Sequence, residues 1–239
     1  MSGRDAPDQA ALKRQAAEAA VAEVEDGMVL GLGTGSTAEL ALEALAARVA
    51  GGLRVEGIPS SERTAASARR LGIPLTGFAA HPRIDLAIDG ADEVEPHSLA
   101  LVKGRGGALL REKIVAAASR RMLVVVDGSK LVERLGRGTL PVEVVAFGWE
   151  ATFAGLEAAG VRPSLRRAAD GSPFATDGGN RIADCGTGPV ADPAALDARL
   201  RAVVGVVETG LFVGLASRAI VATPGGLQVF DAPPAGAVG

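Results

Sequence analysis

An open, mostly parallel α/β sheet with a small α+β appendage is the fold class this sequence predicts, on three observations. Short apolar runs alternate with helical patterns from the start to about Leu140. Several of those runs end in loops rich in glycine or acid, as strand ends of such sheets do. After Leu140 the order changes to strand, helix, strand, strand, helix, strand, which suggests a ferredoxin-like unit.

The elements follow in order. Gln9–Val24 is Ala-rich, with Leu12, Ala16, Ala19, Ala20 and Val24 near helical spacing, and Gly27 stops it. Met28–Leu32 predicts a strand, and Ala38, Leu40, Ala41, Leu45 and Val49 mark a second helix. Leu53–Ile58 predicts a strand; Ser60 and Ser61 can cap a helix over Glu62–Leu71. Ile84–Ile88 is a short strand, Ala108–Ala118 a helix, and Met122–Val126 an apolar run that fits a buried parallel strand. Beyond Leu140, Val142–Phe147 and Trp149–Ala159 predict a strand and a helix. Two short strands then flank the turn Asp177-Gly178-Gly179-Asn180 within Arg162–Cys185, before a helix over Asp192–Val203 and an extended Gly205–Glu208. Ala219–Phe230 is extended on both sides of Pro224-Gly225-Gly226. The expected division is a Rossmann-like α/β domain from 1–139 plus 211–239, and a lid from 140–210. A (β/α)8 barrel matches the length but not the antiparallel-looking stretch after Leu140.

Composition narrows the function classes. Of 239 residues, 48% are hydrophobic and 22% charged, as expected of a globular chain. A net charge of −3 gives no basic field for a nucleic-acid backbone. Six Phe, one Trp and no Tyr leave little for base stacking. With only His81 and His97, neither near a metal-ligand or nucleophile motif, metallohydrolase and serine-hydrolase chemistry starts weak. The lone Cys185 excludes an intrachain disulfide and reads as a small buried hydrophobe. Met1–Ala10 is polar, without the apolar core of a signal peptide, and no apolar run reaches membrane-spanning length. The expected compartment is the cytoplasm.

Four segments carry chemistry. Gly31-Leu32-Gly33-Thr34-Gly35-Ser36-Thr37 lets the backbone approach a ligand, and the helix start offers free N–H groups to an anion such as a phosphate. It is not a P-loop, and Ser36 stands where a dinucleotide fingerprint wants Gly or Ala. Glu56 sits where a ribose-binding acid would, or is a solvated charge. Asp89-Gly90-Ala91-Asp92-Glu93 fits sugar hydroxyls, a Mg²⁺ site or a plain acidic turn equally well. Lys103-Gly104-Arg105-Gly106-Gly107-Ala108 is a second glycine loop before a helix, with Lys103 able to face a developing oxyanion. Arg111, Glu112 and Lys113 follow it, and each also reads as a solvated helix charge. Asp127-Gly128-Ser129-Lys130 ends a buried strand, and Lys130 can reach a phosphate or sit free on the surface.

Taken in order, these segments resemble the type A ribose-5-phosphate isomerase family, together with Leu140-Pro141-Val142-Glu143-Val144 and Thr176-Asp177-Gly178-Gly179-Asn180. The resemblance runs from about Val21 to Val229. It implies an aldose–ketose isomerase of the non-oxidative pentose phosphate pathway that needs no cofactor or metal, usually as a homodimer or tetramer. Glu112 matches the family's general base, and Asp89 the residue assisting ring opening. Thr34, Gly35, Ser36 and Thr37 match its first substrate loop; Asp89, Gly90, Ala91 and Asp92 the second; Lys103, Gly104, Arg105 and Gly106 the third; and Lys130 a further substrate-binding lysine. Arg105 departs least consequentially, since the family varies there. Two rivals stand beside this reading. One is a sugar-phosphate-sensing module of a transcription regulator, which the lack of a helix-turn-helix or basic arm before Met28 disfavours. The other is a nicotinamide-dependent oxidoreductase using the Gly31 loop and Glu56.

Overall fold

The computed structural model describes residues 9–233. The polar start and both outer ends of the expected larger domain therefore lie partly outside the described residues, at 1–8 and 234–239. In chain order the elements are α1 (Gln9–Ala22), β1 (Val29–Leu32), α2 (Ser36–Ala50), β2 (Glu56–Pro59), α3 (Glu62–Arg70), β3 (Ile84–Asp89), β4 (Glu93–Val94) and β5 (Leu101–Val102). There follow α4 (Leu109–Ala118), β6 (Ser119–Asp127), β7 (Leu140–Val144), α5 (Trp149–Ala158), β8 (Arg162–Leu165), β9 (Arg181–Gly186), α6 (Pro193–Arg201), β10 (Val206–Thr209), β11 (Leu211–Phe212), β12 (Arg218–Thr223) and β13 (Gly226–Asp231).

The main sheet has the order β13-β12-β6-β3-β1-β2. It is parallel throughout except for the terminal hairpin of β12 and β13. Its strands are apolar on both faces because helices cover both. Side chains alternate along a strand, so Leu123 and Val125 of β6 join a core with Ala16, Ala20, Leu42 and Leu45 of α1 and α2. Met122, Val124 and Val126 face the other way, against Val115 and Ala116 of α4. The Ala-rich α1 is thus a close-packing surface: Ala16, Ala17 and Ala20 are fully buried.

Residues after Leu140 form an antiparallel sheet of order β10-β7-β9-β8, with α5 and α6 completing a ferredoxin-like α+β arrangement. Cys185 is buried in its core, where burial pushes the thiol up to about 12, out of reach of ordinary thiolate chemistry. A small third sheet, β11-β5-β4, is a feature the sequence reading did not anticipate. Its strands are two residues each, too short to show a period.

Candidate active site

Loops at the carboxyl ends of β1, β3 and β6, with the turn before α4, converge on a pocket of about 100 Å³. Thr34, Gly35, Ser36, Thr37, Gly90, Ala91, Asp92, Lys103, Gly104, Arg105, Gly106, Glu112 and Lys130 all line it. Asp89 lies just beneath, buried.

The first loop is built on close approach. A Cβ on Gly33 would sit 2.3 Å from Asp89 Oδ1, so only glycine lets β1 run this near the carboxylate. Gly35 has φ of 114°, a left-handed conformation that ends the loop and opens α2. The first-turn amides of α2 then face the pocket without intrahelical partners. The Thr34 hydroxyl is engaged elsewhere, with Ser60, Ser61 and Thr64 at 2.8–2.9 Å. Ser61 caps α3 by accepting from Thr64 N, while Ser60 belongs to this hydroxyl cluster.

Two more lysines line the pocket. Lys130 comes from a single helical turn after β6, which Asp127 caps by accepting from Ser129 N at 2.9 Å. Lys13 comes from α1 and donates to Ser36 Oγ at 3.1 Å. Sequence reasoning missed Lys13 because one lysine in an Ala-rich helix carries no motif. The only trace was Gln9 and Lys13 one turn apart, both turned toward the loops that flank the pocket.

The floor is a buried charge cluster. Lys103 Nζ lies 3.1 Å from Asp89 Oδ2 and 3.2 Å from Glu112 Oε1, and donates to Gly90 O at 2.6 Å. Asp89 Oδ1 also accepts from Thr34 N at 3.0 Å and Gly90 N at 2.8 Å. Burial would strip Lys103 of its proton, but Asp89 and Glu112 outweigh it and raise its pKa. Burial pushes the Glu112 carboxyl up to about 8; Lys103 opposes this, and the charges of Asp89 and Asp92 add to it. Asp89 is likewise raised by burial, against the pull of Lys103 and the two amides. Glu112 Oε2 is buried with no hydrogen-bond partner among the described residues. Such an orphan costs about 1–3 kcal/mol, and sites that keep one are candidates for function. The solvated-charge reading of Glu112 is thereby overturned.

The neighbouring charges have other work. Asp92 accepts from Arg105 N at 3.0 Å, joining the second and third loops. Glu93 is buried and accepts from the amides of Gly136, Arg137 and Gly138 at 2.6–3.3 Å, so it braces the segment before β7. Lys113 is not a solvated charge either: it donates to Glu208 Oε1 and Thr209 O, both at 2.8 Å. Glu56 pairs with His81 at 3.0 Å on an exposed surface and takes no part in the pocket. Among the described residues, no group of three or more His, Cys, Asp or Glu is arranged to hold a metal ion.

Buried carboxyls locked to one lysine, beside a helix start and in a pocket lined by two more lysines, define an α/β enzyme site for a small anionic substrate. The family model for ribose 5-phosphate isomerase A (phosphoriboisomerase A) matches residues 56–226. The chain is 59% identical over 219 residues to ribose-5-phosphate isomerase A of Gloeobacter violaceus, covering 91% of this chain and 95% of that one. It is 55% identical over 226 residues to that of Roseiflexus castenholzii, covering 93% and 96%. Ribose 5-phosphate isomerase A of Methanocaldococcus jannaschii superimposes with a TM-score of 0.90 at 37% identity, over 94% of this chain and all of that one. A D-ribose-5-phosphate isomerase solved in complex with phospho-erythronic acid gives 0.91 at 34% identity, with coverage of 94% and 100%. This chain belongs to the ribose 5-phosphate isomerase A family.

Proposed function

We propose that this chain interconverts D-ribose 5-phosphate and D-ribulose 5-phosphate, with Glu112 as the base that moves the proton. The observation that carries the assignment of Glu112 is its unpartnered Oε2, buried on the pocket floor beside Lys103. A base must reach a C–H that makes no ordinary hydrogen bond, so an oxygen left free by the protein fits the role. Burial pushes the Glu112 carboxyl up to about 8, toward the neutral range where a general base works best.

In this reading the phosphate sits at the start of α2, on the amides of Gly35, Ser36 and Thr37, between Lys13 and Lys130. Asp89 holds Lys103 and, through a water, assists opening of the sugar ring. Ionised Glu112 takes the C2 proton of the open aldose. The electron pair moves into the C1–C2 bond, and the C1 oxygen takes the charge of a cis-enediolate. Lys103 and the loop amides offset that charge. The C2 hydroxyl proton passes to the C1 oxygen, which leaves the charge on the C2 oxygen; the same carboxyl then returns its proton to C1 as the C2 carbonyl forms, and one base suffices because the carbons are neighbours. A structural relative was solved in complex with phospho-erythronic acid, a phosphorylated sugar acid, which supports a sugar-phosphate substrate.

The reading includes a lid over 140–210 and a catalytic domain from 1–139 plus 211–239. It also includes a cytoplasmic homo-oligomer, dimer or tetramer, which the family resemblance supports and sedimentation tests. Among the described residues no helix is long and apolar enough to cross a membrane. The deciding experiment is a spectroscopic assay of ketopentose formation from ribose 5-phosphate. Native protein should turn over and Glu112→Gln should not; equal rates in both would remove Glu112 from the role.

A further inference from the structure

Arg166 follows β8 of the small α+β unit and does not line the pocket. Its Nη1 donates to Gly104 O at 2.9 Å and to Arg105 O at 3.0 Å. Its Nε donates to Asp184 Oδ2 at 2.9 Å, and Nη2 to Asp184 Oδ1, in the paired geometry that holds a guanidinium plane most firmly. Phe174 lies beside it, with the guanidinium carbon 5.9 Å from the ring centroid. The same ring abuts Gly107, where a Cβ would come within 2.5 Å of it. Arg166, Asp184 and Phe174 therefore grip the third loop from outside the pocket.

The consequence lies in the peptide planes. In a trans peptide the C=O and the following N–H point in opposite directions. Holding Gly104 O turns the Arg105 N–H the other way, where it donates to Asp92 at 3.0 Å. Holding Arg105 O likewise turns the Gly106 N–H away from Arg166, and Gly106 lines the pocket. One guanidinium thus sets two successive amides, and a free loop of three glycines at 104, 106 and 107 would not hold that setting by itself.

We propose that Arg166, anchored by Asp184, is a positioning residue for the isomerisation: it fixes the loop so that the Gly106 N–H and Lys103 together face the developing oxyanion. The proposal rests on the isomerase reading above. A preorganised donor acts in the transition state more than in substrate binding, so its loss should fall on kcat.

The test is steady-state kinetics with ribose 5-phosphate on full-length Arg166→Met, Arg166→Lys, Arg166→Ala and Asp184→Asn, each with a melting curve. Arg166→Met should lose about 10- to 100-fold in kcat with KM within about threefold. Arg166→Lys should recover little, because an ammonium cannot fork to two carbonyls and a carboxylate. Asp184→Asn, which leaves the guanidinium present but loosely held, should fall between Arg166→Met and native. Guanidinium ion added to Arg166→Ala should restore kcat several-fold and leave the native rate unchanged. A folded Arg166→Met with kcat within twofold of native overturns the proposal. So does a change confined to KM, or losses across all variants that follow the unfolded fraction and ignore guanidinium. A native chain without isomerase activity strikes the isomerase reading instead and is seen before any Arg166 variant is made.

Discussion

Glu112→Gln perturbs activity and stability in opposite directions, and both can be sized. The amide keeps the shape of the carboxyl but cannot take a proton, so turnover should fall by at least about 100- to 10,000-fold. Ribose 5-phosphate binding should stay within several-fold, because the phosphate end of the pocket is untouched. Stability follows from the raised pKa. A carboxyl pushed up to about 8 when folded binds its proton more tightly than in the unfolded chain, where it titrates near 4.5. The stability held by that proton is full below 4.5 and drains away as pH rises through 8. Through the middle of that window each pH unit costs about 1.4 kcal/mol, falling to about half that at pH 8, so the native protein should lose about 2 kcal/mol relative to Glu112→Gln between pH 6 and pH 8. For a chain of this size that is roughly 4–8 °C in melting temperature. Parallel melting curves of the two proteins at pH 6, 7 and 8, with the isomerase assay at each, measure both effects. A folded Glu112→Gln that turns over normally, or a melting gap that does not widen with pH, refutes the account of a buried, unpartnered base.

Other perturbations test neighbouring parts of the site. In the native enzyme kcat/KM should climb toward a plateau above pH 8, since only ionised Glu112 removes the proton; a flat profile from pH 6 to 8 counts against it. Lys13→Ala and Lys130→Ala should each raise KM about tenfold with a smaller effect on kcat, and both should make binding less sensitive to salt. Gly33→Ala should impair turnover strongly, because its Cβ would meet the Asp89 carboxylate at 2.3 Å; near-native kinetics would mean the loop can yield there. Full activity should survive exhaustive chelation, and loss restored by Mg²⁺ would bring back a metal role for Asp89 and Asp92.

Much of the fold and the pocket is legible in the sequence because the residues concerned mark themselves. Glycines with hydroxyls before a helix, acids at a strand end and a lysine in a glycine loop are costly patterns that a plain turn does not need. The sheet strands also announced themselves, although β6 begins at Ser119, earlier than its apolar run at Met122. Its first residues pair with β3 at a rim where Arg120 and Arg121 are exposed, so burial does not mark them. β2 likewise starts at Glu56 rather than Leu53. What stayed hidden depends on distant partners. Lys13 reaches the pocket only because the small residues of α1 let that helix lie close over the sheet. Glu93 looks like part of an acidic cluster until the amides of 136–138 are brought to it, and Lys113 looks solvated until Glu208 arrives.

The cluster also explains how one lysine serves two acids without blurring their roles. Lys103 touches Asp89 and Glu112 at nearly equal distance, so its charge alone does not choose between them. The backbone does. Thr34 N and Gly90 N both donate to Asp89 and neither donates to Glu112, which favours the negative charge on Asp89. Those two amides are in place because Gly33 admits the strand against the carboxylate. Glu112 has no such amides: it lines the pocket, and its Oε2 has no partner among the described residues. Two carboxyls of similar intrinsic acidity are thereby given different surroundings, one held by backbone amides and one with an oxygen free, the division that the proposed general base chemistry requires.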